Sequence, residues 1–294
     1  ASFAAKVSIA YSGGSVNGTG LWFADLDGDG KLDAITSSFA GGFGAFVTFR
    51  NTSTPGSISF EAPEYWQGGS DESPISFIGD LDGDGRPEMV SGEGAIPGGF
   101  WFNQNISTPG NIAFSSWVAP FPLSIINGFT QANAADLNGD GKPELIITNG
   151  QGQAIDVLEN VSTPGAPAFT AAFQFGTNQY TNAPLVIADM NLDGKNDLLY
   201  KTSGEVGFHI RLNADTDGTL TAADFAADLI ITGDLSGQGG ICITDMNGDG
   251  RPDIVASDNT DFGVFENVFN GGVFDINSLV PAYQYEAPGL NTFP

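Results

Sequence analysis

The stretch DLDGDGKLD, residues 25–33, decides how the rest of the chain reads. It returns as DLDGDGRPE at 80–88, DLNGDGKPE at 136–144, DMNLDGKND at 189–197 and DMNGDGRPD at 245–253, with starts 55, 56, 53 and 56 residues apart. A fixed period of this length marks a repeat architecture, in which each unit buries its apolar face against the next. Every copy follows one template: Asp, x, Asp or Asn, x, Asp, Gly, Lys or Arg, x, Asp or Glu. Oxygen-bearing side chains stand at positions 1, 3, 5 and 9. Calcium is a hard cation that collects about six to eight oxygens from carboxylates, amides and backbone carbonyls. Gly at position 6 permits the positive φ that wraps a chain around an ion. Position 7 then offers only its carbonyl, and its basic side chain is expected to point outward.

The expected ligand sets are therefore Asp25, Asp27, Asp29, Lys31 and Asp33 in the first loop and Asp80, Asp82, Asp84, Arg86 and Glu88 in the second. The third has Asp136, Asn138, Asp140, Lys142 and Glu144, and the fourth Asp189, Asn191, Asp193, Lys195 and Asp197. The fifth has Asp245, Asn247, Asp249, Arg251 and Asp253. A single copy could be an Asp/Gly turn without metal; five copies in one register favour five calcium sites. The fourth is the weakest, because Leu192 takes the place of the Gly at position 4.

Composition points the same way. The chain of 294 residues carries 35 acidic against 9 basic residues, a formal charge of −26, and about half the acids sit in these loops. Like charges packed within a few ångströms repel strongly, so the loops call for a divalent cation. An acidic surface argues against a nucleic-acid partner. The single cysteine, Cys242 in the apolar run GGICIT, reads as a small buried residue. The number of calcium loops suits the high calcium outside cells, which implies a secreted or cell-surface protein. No signal peptide and no apolar run long enough for a membrane span is present, and residue 1 reads like a mature N-terminus after processing.

Helical periodicity is nearly absent. Each unit instead shows an apolar run into the loop (LWFAD, ISFIGD, NAAD, LVIAD, ICITD) and a second run after it. An alternating strand follows (GAFVTFRN, GFWFNQN, AIDVLEN, VGFHIRLN, FGVFEN), then a turn and a fourth strand (SISFEAPEYW, NIAFSSWVAP, PAFTAAFQF, and more loosely 224–232 and 273–285). Four short antiparallel strands per unit describe a propeller blade. The expectation is an all-β, single-domain β-propeller of five four-stranded blades, with repeats at about 21–74, 75–130, 131–183, 184–238 and 239–294 and a calcium loop in each hairpin between strands one and two. Residues 1–20 hold a further strand, 3–10. Either it or 273–285 closes the ring, and the spare one could pair with a neighbouring molecule.

The turn between strands three and four is NTSTPG (51–56), NISTPG (105–110) and NVSTPG (160–165). With Asn17 these match the glycosylation pattern at Asn51, Asn105 and Asn160, but Asn, Ser, Thr, Pro and Gly recurring at one position read better as turn chemistry. The fourth unit replaces this turn with NADTDGTLTAAD, 213–224. Asn213, Asp215, Asp217, Thr219, Thr221 and Asp224 fall at positions 1, 3, 5, 7, 9 and 12 of an EF-hand-type loop, a candidate sixth calcium site. In an up-and-down blade these turns share a face with the calcium loops. The opposite face carries aromatic connectors, where Tyr65, Trp66, Trp117, Phe121, Phe175 and Tyr180 either bind a sugar or protein ligand or pack between blades.

Entries such as WFADLDGDGKLD (22–33) and FIGDLDGDGRPE (77–88) resemble the FG-GAP/VCBS repeat family, whose members include the integrin α-subunit propeller and secreted lectins and lyases. The resemblance runs from about residue 20 to 294 and implies propeller blades with calcium in the strand one–two hairpin. The family usually has seven blades; five are counted here. Function varies across it. No Ser–His–Asp set, phosphate loop or thiolate metal site is visible, and His209, in the strand VGFHIRLN, reads as structural. The chain is therefore expected to be a non-catalytic binding or adhesion module for a glycan or extracellular protein. The alternative is a structural subunit that self-assembles into oligomers or filaments; a polysaccharide-degrading enzyme is the weakest reading.

Overall fold

The computed structural model describes residues 20–40, 43–67, 75–92, 100–118, 129–149, 153–177, 185–202, 206–236, 240–257 and 261–286. Among these residues twenty strands form five four-stranded sheets, each with its strands in sequence order. The first sheet is β1 (Leu21–Ala24), β2 (Asp33–Ala40), β3 (Phe43–Phe49) and β4 (Glu64–Gln67). The second is β5 (Ile75–Gly79), β6 (Glu88–Gly92), β7 (Phe100–Asn105) and β8 (Phe114–Val118). The third is β9 (Phe129–Ala135), β10 (Glu144–Asn149), β11 (Ala154–Asn160) and β12 (Phe169–Gly176), and the fourth is β13 (Leu185–Ala188), β14 (Asp197–Tyr200), β15 (Val206–Arg211) and β16 (Leu229–Ser236). The fifth is β17 (Ile241–Thr244), β18 (Asp253–Ser257), β19 (Asp261–Asn267) and β20 (Leu279–Glu286).

All pairings are antiparallel, and each acidic loop is the hairpin connection between the first and second strands of its sheet: Ala24 pairs with Asp33, Ala188 with Asp197 and Thr244 with Asp253. The strand pattern and loop positions are those expected from the repeats. The fourth strands of sheets four and five start later than 224 and 273, because short 3-10 turns at Ala222–Asp224 and Ile276–Ser278 intervene. The segment 3–10 lies outside the described residues. No helix among the described residues is long and apolar enough to cross a membrane.

The chain divides into two compact units. One holds residues 1–80, 85–95 and 100–119, with the first two sheets; the other holds 81–84, 96–99 and 120–294, with the remaining three. In the first unit β-branched and aromatic side chains from neighbouring sheets share one core: Ile35 and Phe46 meet Met89, Ile112 and Phe114. Trp66 joins it, with its ring 6.4 Å from Phe46 and 5.6 Å from Phe114. In the second unit one core joins sheets three and four around Ile146, Phe175, Tyr200 and Phe225, and another joins sheets four and five around Phe208, Ile254 and Phe265. Each large buried side chain contributes about 1.5–3 kcal/mol of transfer free energy. Sheet-to-sheet burial therefore gives a chain of short hairpins its stability.

Cys242 is a correction: it is exposed, not buried. On the first strand of a sheet, the residue three before the loop faces the following sheet. Trp22 and Val186 stand there and pack on the neighbouring core. Cys242 holds the same register in the fifth sheet, and no sixth sheet follows among the described residues.

Candidate metal centres

The acidic loops fold on their own side chains. Asp25 at position 1 gathers the amides that follow: Oδ1 accepts from Gly28 N (2.9 Å) and Asp29 N (3.1 Å), and Oδ2 from Gly30 N (2.8 Å). Asp27 accepts from Asp29 N and Asp29 from Lys31 N. The pattern recurs with Gly85 donating to Asp80, Gly141 to Asp136, Gly194 to Asp189 and Gly250 to Asp245. These bonds need left-handed backbone, so Gly28 and Gly30 have φ of 74° and 84°. In the fourth loop Leu192 takes φ 58°, a conformation that costs an L-residue about 1–2 kcal/mol.

The winding turns positions 1, 3 and 5 of the first loop toward one centre, and positions 1, 3 and 9 of the second, Asp80, Asp82 and Glu88, likewise. In the first loop Asp25, Asp27 and Asp29 each place a ligand atom within 4.8 Å of the others. Three carboxylates so close fit a hard divalent cation by donor type and spacing. Such an ion would supply the positive charge that the cluster needs and would cross-link the hairpin.

Position 9 works differently. Its carboxylate bridges the second residue of the loop to the end of the third strand. Asp33 accepts from Leu26 N (2.9 Å) and Asn51 N (2.8 Å), Asp197 from Met190 N and Asn213 N, and Asp253 from Met246 N and Asn267 N. Glu144 accepts from Leu137 N at 2.7 Å. A carboxylate keeps further lone pairs after two such bonds, so this bracing does not remove it from an ion's reach. Burial comes first in pushing both Glu144 and Asp197 up to about 7, with the neighbouring loop carboxylates adding to it. Burial likewise raises Asp33, with Asp27 and Asp29 adding.

The position-7 side chains are not idle. Arg86 donates to Ser107 O at 3.3 Å, Lys195 to Asp215 O and Arg251 to Asn267 O, while Lys31 pairs with Asp29 at 3.5 Å. They tie these four loops to the next turn of their own sheet or back onto themselves, where an outward, solvent-facing side chain was expected.

Two features carry no signal in the loop motif. One is Arg50, whose Nε lies 2.5 Å from Asp27 Oδ2 and whose Nη2 lies 2.8 Å from Asp29 Oδ2. Burial raises the Asp27 carboxyl, but Arg50 and the Gly110 and Asp29 amides outweigh it and hold Asp27 below its ordinary value. The other is the asparagine ending each third strand. Asn105 and Asn160 are buried, accept from Ser107 N and Ser162 N, and donate to Pro87 O and Pro143 O. Those bonds give Asn105 and Asn160 a turn role; a buried amide with both ends bonded has no room for a glycan. Asn51 makes the same turn bond, from Ser53 N, and is half-buried.

In the EF-hand-like segment, Asn213 is another of these asparagines: it donates to Leu137 O and accepts from Asp215 N. Asp215 accepts from Asp217 N and Gly218 N, Asp217 from Thr219 N, and Asp224 from both the amide and the hydroxyl of Thr221. Thr221 holds Asp224 below its ordinary value. Asp215 and Gly218 line an open cavity with Asp136, Asn138 and Lys195 of the third and fourth loops.

Of the aromatic side chains expected on the connectors, Trp66 and Phe175 are core, as packing between sheets requires, and Tyr65 is exposed. Phe121 and Tyr180 lie outside the described residues, as does the side chain of Trp117. His209 stacks on Tyr200 (centroids 4.8 Å apart), beside Asp228, which pairs with Arg211 at 2.7 Å.

Residues 80–147 and 136–200 match the model of the FG-GAP-like repeat, so the stretch 80–200 carries FG-GAP-like repeats. No curated protein matches it. Among solved structures, the V. cholerae biofilm matrix protein Bap1 is similar at 17% identity and TM-score 0.45, over 90% of this chain and 38% of that one. A Photorhabdus luminescens Tc holotoxin pore is similar at 14% identity and TM-score 0.38, over 80% of this chain and 13% of that one. The chain thus spans well under half the length of either.

Proposed function

We propose that the five sheets are blades of a calcium-stabilised β-propeller, secreted or held at the cell surface, that presents a non-catalytic binding face to a glycan or an extracellular protein. The observation that carries this reading is the carboxylate triad of Asp25, Asp27 and Asp29, with Asp80, Asp82 and Glu88 grouped in the second loop, on an oxygen-bearing template repeated in five hairpins. Cation sites of this number serve a protein that lives in high calcium. The non-catalytic reading is supported by the one histidine, which is packed against Tyr200 and engaged with its neighbours. About half of the acids are committed to the hairpins, and the side with the connectors is left for a ligand.

Calorimetry on chelator-stripped protein tests the first half: five calcium equivalents are expected, six if 213–224 also binds, and none would end the proposal. A glycan array and an extracellular-protein panel, each run with and without calcium, test the second. Calcium-dependent binding to one class identifies the ligand. Turnover of a polysaccharide on the same array would replace a binding module with an enzyme.

A further inference from the structure

A relay of hydrogen bonds runs through loops three, four and five without a break. It starts at Glu144, position 9 of the third loop, whose carboxylate accepts from Leu137 N at 2.7 Å. Leu137 O accepts from Asn213 Nδ2 at 2.7 Å, and Asn213 N donates to Asp197 Oδ1 at 2.8 Å. Asp197 is position 9 of the fourth loop, and its Oδ2 accepts from Met190 N at 2.8 Å. Met190 O accepts from Asn267 Nδ2 at 2.8 Å, Asn267 N donates to Asp253 Oδ1 at 2.9 Å, and Asp253 Oδ2 accepts from Met246 N at 2.9 Å. The first unit carries the same parts in the same order: Asp33 accepts from Leu26 N, and Leu26 O accepts from Asn105 Nδ2.

Each part of the relay works at both ends. The residue at position 2 of a loop gives its N–H to the position-9 carboxylate of that loop and its C=O to the asparagine of the following sheet. That asparagine gives its side-chain amide to the carbonyl and its main-chain N–H to the position-9 carboxylate of its own sheet. The turns need less than this, since they use only the Oδ1 of Asn213 and Asn267, which accepts from Asp215 N and Phe269 N. The Nδ2 bonds to a loop 76 or 77 residues away come in addition. Every residue in the relay ahead of Met246 is at most 2% exposed. Water therefore does not compete for these bonds, a bonded series in a dry interior holds together cooperatively, and a donor or acceptor left unmet there is costly.

We propose that Asn213 and Asn267 couple the cation sites of loops three, four and five, so that calcium in one loop raises the affinity of its neighbours several-fold. The inference rests on the calcium reading above and adds to it that these sites do not fill independently. A position-9 carboxylate keeps lone pairs for an ion after its two amide bonds. Once an ion holds that carboxylate, the position-2 peptide and the asparagine bonded to it are held as well. The carboxylate at the far end of the asparagine is then already aimed, and the next site has less to order on binding. The coupling is reciprocal, as any equilibrium coupling between two sites must be. It acts between nearest neighbours, as the interfaces of a repeat array do. Asn213 and Asn267 are thus positioning residues, each serving two loops.

The test is hydrogen exchange on the full chain, read loop by loop against a calcium titration. Asp193→Asn removes a carboxylate from the fourth loop and keeps the oxygen that accepts from Lys195 N. It should raise the calcium midpoint of amides 245–253 several-fold, and Asp249→Asn should raise that of amides 189–197 by the same factor. In an Asn267→Ala background each of these changes should leave the other loop where Asn267→Ala alone puts it. Asn213→Ala with Asp140→Asn repeats the cycle across loops three and four, should circular dichroism show that Asn267→Ala does not fold. An unmoved midpoint for 245–253 in Asp193→Asn would overturn the proposal and leave the calcium reading standing. Cross-talk of the same size with and without the asparagine would overturn it too, because field effects between the loops would then suffice. A chain that takes up no calcium in any loop would overturn it together with the reading it rests on.

Discussion

The first and fifth loops are spelled almost alike, DLDGDGKLD and DMNGDGRPD, yet their surroundings are opposite. In the first, Asp27 is buried beneath the turn of the second sheet, and Arg50 bridges Asp27 and Asp29 while also reaching Glu61 at 3.0 Å. In the fifth, residues 244–250 are all exposed, and the position that Arg50 holds, just before the third-strand asparagine, is Glu266. Its carboxylate accepts from Asn247 Nδ2 at 3.1 Å. Both loops pair the Asp at position 5 with the cation at position 7, Lys31 with Asp29 and Arg251 with Asp249; the first then adds a second cation, whereas the fifth adds an anion. The template dictates how a hairpin winds. A single residue twenty positions downstream, and the presence of a following sheet, decide how much that hairpin depends on an ion from solution.

Removing metal should have the largest effect. Each site filled a hundredfold above its dissociation constant stabilises by about 2.7 kcal/mol, so EDTA should lower the melting temperature by at least about 10 °C. The comparison predicts an order within that loss. Hydrogen exchange in EDTA should rise first in the fifth hairpin, amides 245–253, and last in the first, 25–33. Equal loosening of both would break the contrast.

Acidity acts next. Glu144 and Asp197 have folded values of about 7 against ordinary values of 4.5 and 3.8. The folded state therefore binds more protons than the unfolded one between about pH 4 and 7, and metal-free stability should rise as pH falls through that window. The calcium-loaded protein should lack this gain, since an ion holds the carboxylates ionised. Melting curves in EDTA from pH 7.5 to 5 test the sign. Glu144→Gln should flatten the slope, which a general relief of negative charge would not do.

Arg50→Ala isolates the internal cation. Asp27 has a fully buried side chain and Arg50 is mostly covered, so removal strands a charge, at a cost of about 2 kcal/mol in EDTA. In saturating calcium the cost should fall below about 1 kcal/mol, because the ion supplies the missing charge. Chemical denaturation under both conditions measures the difference. An equal cost in both would mean that Arg50 serves packing alone.

The strand count, the hairpin position of every loop and the turn role of the STPG segments were legible because they follow from local chemistry: period-2 alternation, glycine at positive φ, and Asn and Ser bonding to nearby amides. What escaped was everything set by distant neighbours. Nothing in NISTPG says that Asn105 reaches Leu26 across 79 residues, or that Asn213, read as the first ligand of an EF-hand-like loop, is spent on Leu137. Cys242 looked buried because its run is apolar, whereas exposure on a strand depends on which sheet faces it. Arg50 could have been noticed, as one of the few basic residues outside the motif, but only the fold aims it at Asp27.

The smallest prediction is also the sharpest test of the contrast. Glu266→Arg would give the fifth loop a second cation as the first has, with Asp249, which already pairs with Arg251, and the amide oxygen of Asn247 as shared acceptors. The site is open to solvent, so the gain in EDTA should be modest, about 0.5 kcal/mol, or 1–2 °C in melting temperature. Calcium affinity should move the other way: one equivalent should bind several-fold more weakly by calorimetry, because a resident guanidinium repels a divalent ion and competes for the same oxygens. The two shifts together would show that the residue before the third-strand asparagine sets each hairpin's reliance on metal. A gain in EDTA with unchanged calcium binding would show that the guanidinium pairs with the loop without approaching the oxygens that hold the ion, and the first loop would then have to be read the same way.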